Sequence, residues 1–242
     1  MTRCFAHRGF SGAYPENSML AFQAAIKTGC EGIELDVQLT QDGIPVIIHD
    51  ETVDRVTNGQ GLVKDLTLAQ LEQLQIHATA ASEGQPQQIP TLAAYFELVR
   101  DKAIITNIEL KNSGWYYEDM ERQVIDMIRR YELSDRIIFS SFNHASMLLC
   151  HELAADIPTA LLTGQPLLGN IAAFAAALGC SYLHPYFPTV DAALLKACHE
   201  RGLGVNTWTV NETQDMTRLK RLGADGLISN NPDQVLAVLR QA

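Results

Sequence analysis

Glu34 and Asp36 stand two residues apart in the run Gly32-Ile33-Glu34-Leu35-Asp36-Val37-Gln38-Leu39. On an extended chain they project from one face together with Gln38, while Ile33, Leu35, Val37 and Leu39 fill the other. The run Ile104 to Lys111 repeats the pattern, with Asn107, Glu109 and Lys111 sharing a face. Two readings compete. An antiparallel strand would leave such a polar face in water. A strand covered on both sides would have to pair its inward carboxylates, protonate them or bind them to a cation. The parallel setting described below favours the second reading. Three carboxylates, Glu34, Asp36 and Glu109, with room for water suit Mg²⁺ or Ca²⁺. A shell of oxygen alone does not suit zinc.

His7 and His49 each close a candidate strand, and each has a charged neighbour, Arg8 or Asp50. Imidazoles exchange protons near neutral pH and so can serve as general acid and base. His77, His144, His151 and His199 lack such company and read as structural or surface residues. His184 ends a strand candidate and is less clear-cut. Arg8 and Lys111 add fixed positive charge beside the carboxylates. Cation, basic side chains and two histidines together fit hydrolysis of a phosphate ester, in which negative charge is stabilised and a leaving alkoxide protonated. These residues do not separate a monoester from a diester.

The elements that must hold them alternate. Strands are predicted at Cys4–His7, Gly32–Leu39, Pro45–His49, Ile104–Leu110, Ile137–Ser140, Pro158–Leu162, Tyr182–Pro185, Leu203–Thr209 and Gly226–Ser229. Helices are predicted at Ser18–Thr28, Leu92–Asp101, Glu118–Tyr131, Ala145–Ala155, Leu168–Leu178, Ala192–Arg201, Glu212–Leu222 and Pro232–Gln241. Ser18 and Thr91 are placed to cap helices, and Asn231-Pro232 puts proline in a first turn. Gly29, Gly179, Gly202 and Gly223 sit where helices should stop. Such alternation implies parallel strands with helical crossovers. About eight units in 242 residues fit an α/β fold of the (β/α)₈ TIM-barrel type better than an open doubly wound sheet. No dinucleotide fingerprint or P-loop supports the open sheet. One domain over residues 1–242 is expected, with residues 51–90 as an insertion after the second strand region. Leucines at helical spacing predict a short helix within 66–76. An insertion of this size is either a functional loop or a solvated decoration.

Composition narrows the classes. Eighteen Lys and Arg against 28 Asp and Glu give a net charge of −10, which argues against a nucleic-acid partner. Five cysteines without a C-x-x-C pair read as reduced, buried thiols. The expectation is a cytoplasmic protein. Its opening residues hold no secretory leader, and its longest apolar run, Ile171 to Leu178, is far short of a membrane span.

His7-Arg8-Gly9, Pro15-Glu16-Asn17-Ser18, Glu34-Leu35-Asp36-Val37, Val46 through His49-Asp50, Glu109-Leu110-Lys111 and Trp208-Thr209-Val210-Asn211 follow one another along nearly the whole chain. In this order they resemble the glycerophosphodiester phosphodiesterase family, with Ser18 in place of the usual threonine. The resemblance implies a barrel with a small insertion, metal ligands at Glu34, Asp36 and Glu109, and acid/base histidines at His7 and His49. It implies phosphate contacts from Arg8 and Lys111, and an aromatic wall at Trp208 on the glycerol side, where core packing is an equal reading. It further implies release of sn-glycerol 3-phosphate and an alcohol from small glycerophosphodiesters such as glycerophosphocholine and glycerophosphoethanolamine. The free glycerol hydroxyl would attack through a cyclic phosphate. Lysophospholipids in a membrane are the alternative substrate, disfavoured by the absence of a basic amphipathic segment or an exposed aromatic cluster. A non-catalytic binding protein should have lost one of the five ligand or histidine positions, and all five are present.

Overall fold

Residues rich in β-branched and apolar side chains build eight parallel strands that close on themselves. The computed structural model describes residues 1–165 and 169–241. The barrel strands are β1 (Arg3–His7), β2 (Gly32–Leu39), β4 (Ile105–Leu110), β5 (Ile137–Ser141), β6 (Thr159–Thr163), β7 (Tyr182–Pro185), β8 (Gly204–Thr207) and β9 (Gly226–Ser229). Neighbours run in the order β1, β9, β8, β7, β6, β5, β4, β2, and pairing of β1 with β2 closes the ring. This is a TIM barrel, as the alternation predicts.

Helices α1 (Met19–Thr28), α3 (Leu92–Val99), α4 (Met120–Arg130), α5 (His144–Leu153), α6 (Ile171–Ala177), α7 (Ala192–His199), α8 (Thr213–Leu222) and α9 (Pro232–Arg240) alternate with the strands. Their ends follow the capping chemistry read from sequence. Ser18 accepts from the Ala21 amide and Thr91 from the Ala94 amide, while Gly29 and Gly223 close α1 and α8 at φ 83° and 90°. The expected helix start at Leu168 lies outside the described residues.

The main core, including Ile33, Leu35, Val37, Ile108, Leu110 and Phe139, packs strands against helices. Phe5, Ile138, Ala160 and Ile228 form a smaller cluster from the opposite strand faces and plug the barrel. The chain therefore spends its interior volume on apolar packing below and on polar residues at the strand ends.

One expected strand takes a different place. Pro45–His49 was expected among the parallel strands, but only Pro45–Ile47 (β3) is extended, and it pairs antiparallel with β2. The turn at Thr40–Ile44 reverses the chain, with Gly43 at φ 76°. His49 therefore follows a returning hairpin arm and is not the tip of a barrel strand. The predicted helix within 66–76 is only four residues long, α2 (Leu68–Leu71), capped by Thr67. Around it, Val46, Ile48, Val53, Val63, Leu71 and Ile89 make a separate apolar cluster. That small core is why the excursion between β3 and α3 is ordered without a long helix of its own.

Just past β1 the chain turns sharply: Arg8 and Gly9 have φ of 55° and 76°. A Cβ on Gly9 would lie 2.7 Å from the Ala21 carbonyl carbon in α1. Gly9→Ala should therefore cost about 1–3 kcal/mol, through both the left-handed backbone and the clash. Urea unfolding would show it as a lowered midpoint at unchanged slope, and an unchanged midpoint would contradict the packing described.

Candidate active site

Parallel registry sets the carboxylates side by side. β2 and β4 pair Glu34 with Asn107 and Asp36 with Glu109, so four inward side chains occupy a two-by-two patch at the C-terminal ends of the strands. One carboxylate oxygen from each of Glu34, Asp36 and Glu109 lies within 4.8 Å of the others. Glu34 and Asp36 are buried, at 3% and 1% exposure, so water screens their repulsion poorly.

Two cations answer them. Arg8 Nε lies 3.3 Å from Asp36 Oδ2, and its backbone amide donates to Glu34 Oε2 at 2.9 Å. Lys111 Nζ is 2.8 Å from Glu109 Oε1 and 3.7 Å from Asp36 Oδ1. Asn17 donates to Asp36 Oδ2 at 2.8 Å. Burial alone would push Asp36 up, but Arg8 and Lys111 outweigh it and hold the carboxyl below its usual range. For Glu34 the charge and amide of Arg8 act in the same direction but are outweighed. Burial, then the charges of Asp36 and Glu109, raise it well above the ordinary value. Glu109 is raised by burial despite Lys111. Three carboxylates against two cations leave the cluster one positive charge short.

That deficit and the all-oxygen donor set fit a divalent cation such as Mg²⁺ or Ca²⁺. The buried Asn107 Oδ1, which has no hydrogen-bond partner, adds another oxygen on the same patch. A divalent ion would turn the inner group from −1 to +1, a sign suited to a singly charged phosphodiester.

The histidines flank this cluster with different partners. His7 Nδ1 is 2.6 Å from Asn230 Oδ1, which fixes the ring with its Nδ1 proton donated. Its Nε2 is 3.9 Å from Glu34 Oε2. Burial, reinforced by the Arg8 charge, depresses His7 to about 4, so the ring is neutral at neutral pH. His49 Nδ1 instead meets the Asp50 carboxylate at 2.6 Å. The Gln38 side-chain amide donates to the carbonyls of Ile48, His49 and Asp50. Gln38 Oε1 in turn accepts from Tyr117 at 3.0 Å. The hairpin backbone that carries His49 is thus tied to β2.

His7, Arg8, Glu34, His49, Asn107, Glu109, Phe142 and Trp208 line one small cleft, and Asp36 and Lys111 join it through their ion pairs. All eight sequence-predicted site residues are therefore brought together. Trp208 packs against the barrel plug and also lines the cleft. Its Nε1 donates to the His184 carbonyl at 2.8 Å, and Phe142 and Tyr186 flank its ring with centroids 5.6 Å away. His184 itself is fully buried beside Asn206 and depressed to about 3 by burial. It is a residue of the barrel interior.

Sequence reasoning passed over Glu16, Asn17, Arg55, Asn107 and Asn230 as site residues. Asn230 follows β9 directly, so the strand-end criterion applied to histidines would have found it. Arg55 had no such signal, because it lies in the excursion and reaches the site only through folding.

The family model of the glycerophosphoryl diester phosphodiesterase family matches residues 7–234. The chain belongs to that family. Membership makes it an enzyme of the phosphoric diester hydrolase class. A glycerophosphodiester phosphodiesterase of Caldanaerobacter subterraneus subsp. tengcongensis is 39% identical over 240 residues, covering 99% of this chain and 98% of that protein. One from Bacillus altitudinis is 37% identical over 241 residues, covering 98% of each. The structure of an Oleispira antarctica phosphodiesterase in complex with the product sn-glycerol-3-phosphate matches with a TM-score of 0.89 at 28% identity, covering 100% of this chain and 98% of that one. Among the described residues of this family member, no helix is long and apolar enough to cross a membrane.

The raised Glu34 carboxyl has a measurable consequence. A group raised in the folded state contributes stability at low pH, and loses that contribution as pH rises through its folded pKa. A cation must displace the proton, so its stabilising effect should grow with pH. Millimolar Mg²⁺ or Ca²⁺ should raise the melting temperature several degrees more at about pH 8 than at about pH 5, and Glu34→Gln should flatten that difference. Equal shifts at both pH values in the unaltered protein would refute the assignment.

Proposed function

We propose that residues 1–242 act as one catalytic domain, with 51–90 inserted in it, that hydrolyses glycerophosphodiesters to sn-glycerol 3-phosphate and an alcohol. The observation that carries this reading is the meeting of a buried carboxylate trio, two cations and two differently partnered imidazoles in one cleft. The Oleispira antarctica relative, in complex with sn-glycerol-3-phosphate, supports the choice of product.

In this reading Glu34, Asp36 and Glu109 hold Mg²⁺ or Ca²⁺. Such an ion, when bound, supplies Lewis acidity toward a phosphoryl oxygen. The chain's own groups do the rest. Arg8 and Lys111 draw the phosphate in and stabilise the charge that builds on its oxygens. His7, neutral and with its Nδ1 proton committed to Asn230, offers Nε2 to take the proton of the attacking hydroxyl. His49 holds the opposite role, with the Asp50 carboxylate behind its ring, and passes an Nε2 proton to the departing alcohol. Attack by the glycerol hydroxyl leaves a cyclic phosphate. Water then opens it, giving a proton to His49 while His7 returns its proton to the released glycerol oxygen. Trp208 and Phe142 form the apolar wall against which the glycerol carbons pack. Residues that bind a small phosphodiester in solution need neither nucleic acid nor a membrane anchor, and the proposed place of action is the cytoplasm.

A second reading gains support from the surface. Sequence analysis expected no exposed aromatic cluster, yet Trp115, Tyr116 and Phe142 are 42%, 74% and 39% exposed on loops after β4 and β5. These loops follow the C-terminal ends of the strands, where the cleft opens. An apolar rim there suits a lysophospholipid tail.

Purified protein with Mg²⁺ or Ca²⁺ should release sn-glycerol 3-phosphate from glycerophosphocholine or glycerophosphoethanolamine, and chelator should abolish release. His7→Ala and His49→Ala should each lower kcat by at least about 100-fold while the fold persists by circular dichroism. Full activity after metal stripping would sink the cation assignment. For the second reading, turnover of lysophosphatidylcholine that drops about tenfold in a Trp115→Ala/Tyr116→Ala variant, with glycerophosphocholine turnover unchanged, is the expected result.

A further inference from the structure

Arg55 lies in the excursion, outside the cleft lining and about half exposed. Its guanidinium nevertheless spans two carboxylates, with all three nitrogens engaged. Nε and Nη2 donate to Asp50 Oδ2 and Oδ1 at 2.6 and 3.0 Å. Nη1 and Nη2 donate to Glu16 Oε2 and Oε1 at 3.0 and 2.8 Å. Asp50 Oδ1 also meets His49 Nδ1, and Glu16 Oε1 also accepts from Arg8 Nη1 at 2.8 Å. An alternating line of charge thus runs from His49 through Asp50, Arg55, Glu16 and Arg8 to Asp36.

A single half-exposed ion pair contributes little to stability. A planar fork bidentate to two carboxylates does something else: it fixes their orientation relative to each other. Gln38 already holds the backbone at His49 and Asp50, but nothing in that contact sets the direction of either side chain. The Asp50 carboxylate is free to rotate about its χ angles unless its two oxygens are pinned. Arg55 pins both. Its opposite edge is anchored on Glu16, in the loop between β1 and α1 that also carries Arg8. The imidazole on the hairpin is therefore registered against the barrel strand that bears His7 and Arg8.

We propose that Arg55 is a positioning residue that orients His49 through Asp50, using Glu16 as its fixed point on the barrel. The inference rests on the phosphodiesterase reading above. It makes no contact between Arg55 and substrate, which separates it from the roles of Arg8 and Lys111. Lysine at this position reaches one carboxylate at a time as a point charge, so it should restore the function only in part.

The test joins kinetics to a measurement independent of turnover. The unaltered enzyme is first assayed on glycerophosphocholine and glycerophosphoethanolamine; no turnover there would sink the phosphodiesterase reading itself and leave the spectroscopic arm to decide the role of Arg55. Arg55→Gln should lower kcat by about 10- to 100-fold with KM within about twofold, and Arg55→Lys should recover part of the loss. Because Arg55 acts through Asp50, the Arg55→Gln/Asp50→Asn double variant should be no slower than Asp50→Asn alone. In proton NMR spectra, the downfield Nδ1–H signal that disappears in His49→Gln should shift or broaden in Arg55→Gln and persist in Arg55→Lys. Melting curves identify any variant that fails to fold, in which case Arg55→Lys carries the comparison. A rise in KM at unchanged kcat, multiplicative losses in the double variant, or an unmoved His49 signal in Arg55→Gln would each overturn the proposal.

Discussion

The structure is organised around a repulsion. Parallel pairing of β2 with β4 forces Glu34, Asp36 and Glu109 into mutual contact in a place that water barely reaches. Such a cluster is tolerable only if positive charge is delivered to it, and the surrounding chain is built to deliver it. Arg8 adopts a left-handed backbone that lets its amide serve Glu34 while its guanidinium serves Asp36. Lys111 continues the same strand face as Glu109 and turns back onto it. These devices still leave the group short of neutrality, and the shortfall is what makes a divalent ion a natural occupant.

The two imidazoles are delivered by different kinds of structure. His7 tops a barrel strand and is steadied by Asn230 at the top of the neighbouring β9. Its geometry is inherited from the closed sheet, in which β1 is paired on both sides. His49 arrives on a hairpin arm that folds back from β2, held by the Gln38 amide and by the ion pairs of Asp50. The two settings differ electrostatically. His7 sits deep, where burial depresses it. His49 has the Asp50 carboxylate behind it and is nearer solvent.

Much of this was legible in the chain, for physical reasons that also explain the gaps. Alternation with period two exposed Glu34, Asp36 and Glu109, because a polar residue inside a doubly covered strand conflicts with its setting and stands out. Lys111 was found the same way, and His7 by its place at the end of a strand beside Arg8. Repeated strand–helix alternation led to the barrel, and cap residues such as Ser18 and Thr91 marked its helices correctly. The direction of β3 was missed because Pro45–Ile47 is apolar like any barrel strand; the Asp42-Gly43 pair in the short link after Leu39 was the signal of a hairpin. Asn17 was hidden by an equally good local explanation, since asparagine near a helix start reads as a cap, whereas Asn230 was missed because the strand-end criterion was applied to histidines alone. Arg55 carries no local conflict at all. Its meaning comes from two carboxylates 39 and 5 residues away, which only the folded chain assembles. The exposed aromatics Trp115 and Tyr116 were likewise invisible, since a loop residue's accessibility depends on what packs over it.

The small apolar cluster of the excursion is distinct from the main core, and this bears on how heat inactivates the molecule. The cluster centred on Val46, Ile48, Val53, Val63, Leu71 and Ile89 is far smaller than the main core, and so small a unit is expected to open at a free energy below that of global unfolding. His49 departs with it, whereas the trio and His7 stay in the closed sheet. Loss of catalytic competence and loss of the barrel are then separate events on a temperature axis. Between them would lie a form that keeps Glu34, Asp36, Glu109 and His7 together and lacks His49, so the temperature at which the assembled cleft is lost and the melting point of the barrel would describe different parts of the chain.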